Sequence, residues 1–368
     1  MIVGVPKEIK NNENRVGLVP SGVKALKDHG HTVLVQATAG NGIGVSDEDF
    51  RKAGATIVET AKDVFSKAEM IIKVKEPLPE EYNLLRENQI LYTYLHLAPA
   101  LQLTKALMEK RVTAVAYETI QYDDGSLPLL TPMSEVAGRM STQIGAHHLE
   151  KANGGKGILL GGVPGVQRGK VTILGGGVAG INAAKIAIGM GAQVSILDVN
   201  SRRLEYLDHI FGGTVQTLFS NHENILTAVR ECDLLIGAVL IAGAKAPKLV
   251  SKDLIGEMGA GSVVIDIAVD QGGCIETCKP TSHDHPTYSL DGVIHYAVPN
   301  MPGAVARTST YALTNVTLKY ALMLADLGFK DAVARDKALY KGVNVYNGKV
   351  SYLQVAKDLD LPYEAVSV

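Results

Sequence analysis

Short apolar runs alternate along this chain with segments whose apolar residues recur every three or four positions. Residues 1–6 (MIVGVP), 31–36 (HTVLVQ), 55–59 (ATIVE), 68–75 (AEMIIKVK), 89–96 (QILYTYLH) and 112–119 (VTAVAYET) have the length and composition of buried strands. Between them, 21–30 reads as a helix with Ser21 as its N-cap, Val23 and Leu26 three apart, and Gly30 closing it. Segment 46–54 reads as a second helix ended by Gly54, and 100–110 as a third. This alternation predicts a parallel sheet with helices on its faces.

A long helix is predicted over 131–153, with Pro132 near its first turn, as the link between two domains. The glycine-dense stretch 153–170 holds few core-forming residues and is expected on the surface. A second strand–helix series then runs through 171–200, with apolar strands at 233–240 (DLLIGAVL) and 262–269 (SVVIDIAV) and a last one at 292–300 (GVIHYAVPN). A helix is expected from about Thr308 to about Leu327, then short helical pieces with no further buried strand. A helix returning after the second series predicts that the C-terminal segment packs back onto the first domain. The boundaries are drawn at 1–130 plus 305–368 for one domain and 131–304 for the other.

The segment Gly175-Gly176-Gly177-Val178-Ala179-Gly180 is a G-x-G-x-x-G turn in its required setting, after the strand VTIL and at the start of a helix. Gly175 permits the tight turn, Gly177 lets the backbone approach a pyrophosphate, and Gly180 lets helix and strand pack closely. The helix start at Val178 and Ala179 offers N–H donors to the phosphates. The next strand ends in Asp198, eighteen residues after Gly180. A carboxylate there accepts from ribose hydroxyls and repels a 2′-phosphate, which favours NAD over NADP. Arg202 and Arg203 pull the other way, because an arginine accommodates a 2′-phosphate. Ser220, Val239, Leu240, Ile267, Ala268, Val269, Asp270, Val298, Pro299, Asn300 and Met301 fall at or just beyond later strand ends, where doubly wound sheets bind ligands. As a set they line one crevice, with Asp270 facing the nicotinamide end. Asp266, inside its strand, reads as a structural hydrogen-bonding residue.

The 368 residues carry 36 Lys and Arg against 38 Asp and Glu. Such balance excludes a nucleic-acid-binding surface over the whole chain and an acidic disordered tail. Three cysteines, Cys232, Cys274 and Cys278, make no disulfide framework and suit a reducing compartment. No apolar run approaches the roughly 18 residues of a membrane span, and the N-terminus reads as a strand and not a targeting segment. A cytoplasmic protein with no membrane and no nucleic-acid partner is expected.

Three charged residues stand at strand ends or βα loops of the first series: Arg15, Lys75 and His96. Two cations there suit an anionic substrate, and a histidine can shuttle a proton. A structural reading stands beside each: His96 as a satisfied strand-end residue, Lys75 as a solvated turn charge before Glu76 and Pro77. Cys274, Cys278, His283 and His285 fit no common zinc spacing, and His147 and His148 read as packing or surface residues. No metal is expected.

The opening VGVPKEIKNNENRVGLVP, with IIKVKEP, LYTYLHLA, ILGGGVAG, VIDIAVDQGGC and NMPGAVARTST, resembles the alanine dehydrogenases of the wider alanine dehydrogenase/transhydrogenase group, over essentially the whole chain. The resemblance implies an α/β fold of two Rossmann-like doubly wound domains with mainly parallel sheets and a cleft between them. The substrate domain would be built from the N-terminal part and the C-terminal helices. It implies reversible NAD-dependent oxidative deamination of L-alanine to pyruvate and ammonium, and a homohexamer. By motif it assigns Arg15 and Lys75 to the substrate carboxylate and oxygen, His96 and Asp270 to acid/base work, and Ser134, Asp198, Arg203, Ser220 and the strand-end segments to NAD. The magnesium site described for some members needs a Glu/His pair on the late helix, which LKYALMLADLG lacks. The alternatives are an NAD(H)-binding transhydrogenase-like component, a non-catalytic NAD-binding protein, and an opine- or saccharopine-type dehydrogenase.

Overall fold

The computed structural model describes residues 1–239 and 246–367, with Asp270 described by its backbone alone. They divide into two compact units, Met1–Met133 with Val305–Val368, and Ser134–Ala304. In chain order the strands are β1 (Ile2–Val5), β2 (Thr32–Gln36), β3 (Thr56–Val58), β4 (Met70–Ile72), β5 (Ile90–Thr93), β6 (Thr113–Ala116), β7 (Lys170–Leu174), β8 (Gln193–Asp198), β9 (Val215–Phe219), β10 (Leu234–Gly237), β11 (Val263–Asp266), β12 (Thr287–Leu290), β13 (Val293–Tyr296), β14 (Val343–Tyr346) and β15 (Lys349–Val350). Among the described residues no helix is long and apolar enough to cross a membrane.

In the first unit the sheet order is β15-β14-β6-β5-β4-β1-β2-β3. β1 to β6 are parallel; β14 runs antiparallel to β6, and β15 antiparallel to β14. The parallel core has the doubly wound order 3-2-1-4-5-6, so the chain reverses direction across the sheet between β1 and β4. Helices cover both faces, which is why the three residues of β4 are all buried. Capping boxes start two of these helices, Ser46 with Asp49 and Thr60 with Asp63.

The second unit repeats the plan: β12-β13-β11-β10-β7-β8-β9, all parallel except the edge strand β12. Its switch point lies between β7 and β10.

Several expectations from sequence are corrected. The first helix starts at Pro20 with Val19 before it, not at a Ser21 cap, because the fixed φ of Pro20 suits the first helical position. The predicted helix 131–153 ends at His148, with a separate 3-10 turn at Lys151–Asn153. The late helix does end where expected, after Leu327: Ala306–Arg335 is broken at Gly328, whose φ of 72° is not helical. The tail does hold a buried strand, β14, whose Val343, Asn344 and Val345 are buried against β6. The edge strand β12 also lay outside the sequence reading; it is half-exposed and short.

Candidate active site

β1, β4 and β5 are neighbours in the first sheet, and the segments leaving their carboxyl ends carry Arg15, Lys75 and His96. Neither Lys75 nor His96 ends a strand: β4 stops at Ile72 and β5 at Thr93, so each side chain stands three residues beyond. Arg15 is buried and forks onto Glu13, Nε to Oε1 at 2.7 Å and Nη2 to Oε2 at 2.6 Å. Its Nη1 donates to the sulfur of Met133 at 3.2 Å. Burial opposes the guanidinium charge, and the Glu13 fork more than restores it, leaving the pKa above the ordinary value.

Lys75 is half-buried. Burial first, and then the Arg15 cation, lower its pKa below the ordinary lysine value. No acceptor among the described residues takes a hydrogen bond from its Nζ. The backbone that presents it is held by Glu8, whose Oε1 accepts from Val74 N–H at 2.6 Å and from Lys75 N–H at 3.3 Å. Glu8 also faces the fully buried Lys73 at 3.2 Å, which donates to Glu81 at 2.9 Å. Burial works against the Lys73 charge, and the two carboxylates more than offset it.

His96 is exposed, with a left-handed backbone, φ 49°. Its ring lies 5.8 Å from that of Tyr94. Tyr94 is buried, donates to Leu129 O at 2.6 Å, and feels the Arg15 charge. Lys75 and Tyr94 both feel the charge of buried Arg15, and the Tyr94 ring stands near that of exposed His96, which links the four residues into one patch. Such a patch can hold a small carboxylate and move a proton at its neighbour. Sequence reading missed Glu8, Glu13, Tyr94, Glu118 and Met133; the signal for Glu13 was its place two residues before Arg15 in a loop otherwise rich in asparagine.

In the second unit the three glycines have three distinct surroundings. Gly175 has φ 98°, and a Cβ there would stand 2.8 Å from Ala238 O. Gly180 is in closest contact, since a Cβ would sit 1.9 Å from Gly175 O. Around Gly177 a Cβ would meet nothing within 4 Å, and this residue caps helix Val178–Gly189 with no side-chain acceptor on its first N–H groups. That open approach to an uncapped helix start fits a dinucleotide pyrophosphate.

Asp198 and Arg203 bracket the same turn: Asp198 Oδ2 accepts from Gly176 N–H at 2.8 Å, and Arg203 Nε donates to Gly176 O. Ser220 N–H donates to Asp198 O at 3.0 Å, and Val239 follows β10 beside Gly175. Ile267, Ala268 and Val269 follow β11, and Val298, Pro299, Asn300 and Met301 follow its neighbour β13. Ser134 lies one helical turn before Gly138, where a Cβ would stand 2.1 Å from Ala179 O, so its helix packs backbone to backbone on the glycine-turn helix. Leu240 lies outside the described residues.

Asp270 falls on the 3-10 turn Val269–Gln271, and its side chain lies outside the described residues. The loop around it is held from both sides. Buried Asp266 accepts N–H groups from Ala268 at 3.2 Å, Cys274 at 2.9 Å and Ile275 at 3.1 Å. Lys248 donates to the carbonyls of Gly272, Gly273 and Ile275. Cys274 and Cys278 are buried free thiols.

Sheet order, glycine turn and strand-end acid together define a dinucleotide-binding α/β protein of two Rossmann-type units. Family models described as "Alanine dehydrogenase/PNT, N-terminal domain" and "Alanine dehydrogenase/PNT, C-terminal domain" match residues 4–137 and 141–353. The chain belongs to the alanine dehydrogenase/PNT family. It is 63% identical to an alanine dehydrogenase of Methanococcus maripaludis over 99% of this chain and 98% of that one. It is 59% identical to alanine dehydrogenase 2 of Staphylococcus aureus, over 100% of this chain and 98% of the relative. Among solved structures, an L-alanine dehydrogenase 56% identical superposes with TM-score 0.96, over 98% of this chain and 99% of that chain. A transhydrogenase from Sinorhizobium meliloti, 24% identical, shares the fold with TM-score 0.82, over 96% of this chain and 99% of the other.

Proposed function

We infer that this chain is an NAD-dependent amino-acid dehydrogenase that interconverts L-alanine and water with pyruvate and ammonium. The observation that carries the reading is the patch of Arg15, Lys75 and His96, in a chain whose full length matches alanine dehydrogenases at high identity.

NAD, held by the glycine turn with Ser134, Asp198, Arg203, Ser220 and the segments after β10, β11 and β13, supplies the hydride acceptor. Arg15, already fixed by Glu13, and Lys75 take the substrate carboxylate and oxygen; both charges stay constant through the reaction, so they orient without contributing protons. His96 is assigned the proton movements: it takes a proton from the alanine ammonium and releases it to solvent, takes a second from the water that adds to the iminium carbon, and returns that one to the amine nitrogen, which leaves as ammonia and becomes ammonium with the proton of the carbinol hydroxyl. Asp270 is likewise assigned to acid/base work. The balance is alanine, NAD and water giving pyruvate, ammonium, NADH and one proton.

A homohexamer is proposed on the family resemblance, and a cytoplasmic location on the three free thiols. The residue assignment is tested with His96→Ala, expected to lose turnover while NAD still binds; undiminished turnover removes His96 from the mechanism. Light scattering of the purified protein tests the hexamer.

A further inference from the structure

The roles assigned above leave Glu118 unused. It stands on the 3-10 turn Tyr117–Thr119 that follows β6. β5 and β6 are parallel with Thr93 opposite Ala116, so a residue two beyond β6 lies beside the turn beyond β5. There the Glu118 carboxylate accepts the N–H of Leu95 at 3.1 Å to Oε1 and 3.2 Å to Oε2, and the N–H of His96 at 2.6 Å to Oε1. Two successive backbone N–H groups thus converge on one anion, a nest filled by the chain's own side chain.

His96 pays a conformational penalty for its place. Its φ of 49° is in the left-handed region, which a residue with a Cβ occupies only when its surroundings hold it there. Leu95 is fully buried, so its N–H has no easy substitute partner. The turn beneath Glu118 is itself tied down by the late strand β14 and the residue before it: Ala116 N–H donates to Gly342 O at 2.8 Å, and Asn344 Nδ2 donates to Thr119 Oγ1 at 2.7 Å.

We propose that Glu118 is the positioning residue of His96, its carboxylate holding the left-handed backbone that aims the imidazole. The proposal rests on the reading of His96 as the acid/base residue. Glu118 bonds the backbone and not the ring, so its influence on the reaction passes through where the ring stands. Glutamine keeps the size but turns one acceptor into a donor, and alanine leaves both N–H groups without their anion.

The test uses full-length Glu118→Gln and Glu118→Ala, each also in a His96→Ala background assayed at high enzyme concentration. Turnover, KM for NAD and thermal melting are read for all. The expected result is a fall in kcat on the order of 10- to 100-fold, KM for NAD within about twofold of the parent, and no further loss of residual turnover when His96 is already alanine. Parent-like kcat in both single variants overturns the proposal. So does an equal fall in the His96→Ala background, which would mean that Glu118 acts elsewhere. If Glu118→Ala does not fold, Glu118→Gln carries the comparison. Failure of the underlying reading looks different: His96→Ala alone then turns over at the parent rate.

Discussion

Arg15 and Glu13 stand two residues apart and meet as a buried fork, with contacts of 2.7 and 2.6 Å. The carboxylate both neutralises the guanidinium and fixes its plane, so the cation is set before substrate arrives. Deleting one partner breaks a buried ion pair held by two charge-assisted hydrogen bonds. Glu13→Ala is expected to lose about 3–5 kcal/mol of stability in urea unfolding and to raise KM for L-alanine. Replacing both residues, as Glu13→Leu with Arg15→Met, is expected to recover much of the stability while losing activity. A double variant as unstable as Glu13→Ala would contradict this.

Lys75 gives a pH dependence with a definite sign. Burial and Arg15 hold its pKa below 10.5 in the fold, so unfolding takes up a proton between the folded value and 10.5. Its contribution to stability therefore rises with pH in that window. Pyruvate binding runs the other way, because the cation disappears as pH rises through the folded value. Fluorescence titration of the NADH-loaded protein with pyruvate is expected to weaken on the alkaline side before an ordinary lysine would titrate. In Lys75→Arg that limb should vanish, since a guanidinium stays charged; an unchanged limb would assign it to another group.

Gly180 is the tightest point of the nucleotide turn. A methyl group there meets Gly175 O at 1.9 Å, and backbone cannot give by that much without moving the turn. Gly180→Ala is expected to abolish NAD binding in calorimetry while pyruvate-site residues stay intact. Gly177→Ala, with open space around it, is expected to fold normally and weaken NAD alone. Equal NAD affinity in both variants would sink this account of the turn.

The three thiols should be inert in the native protein. Burial pushes Cys232 and Cys274 up to about 12 and Cys278 higher still, and the thiolate is the reactive form. A disulfide reagent at neutral pH is expected to label none until denaturant is added, then all three. Rapid labelling of native protein would show that one of them opens to solvent.

What could be read from sequence follows the strength of each local signal. β4 and β11 are short apolar runs with no surface face, and the glycine turn carries its own strand, helix and acid, so both sheets were legible. β14 was not, because Asn344 interrupts its apolar pattern and its pairing partner β6 lies over two hundred residues earlier. Ser21 looked like a cap only while Pro20 was ignored. Arg15, Lys75 and His96 could be singled out as candidates by residue type. The carboxylates that orient them did not: Glu8 reaches Val74 across 66 positions and Glu118 reaches Leu95 across 23, distances set by sheet register and invisible to spacing.

The most direct test is the appearance of NADH absorbance with purified protein, NAD and L-alanine at alkaline pH, with NADP, D-alanine and glycine as controls. The account predicts a rate that requires both L-alanine and NAD and falls away in His96→Ala. A protein that binds NAD yet produces no NADH from L-alanine would contradict it.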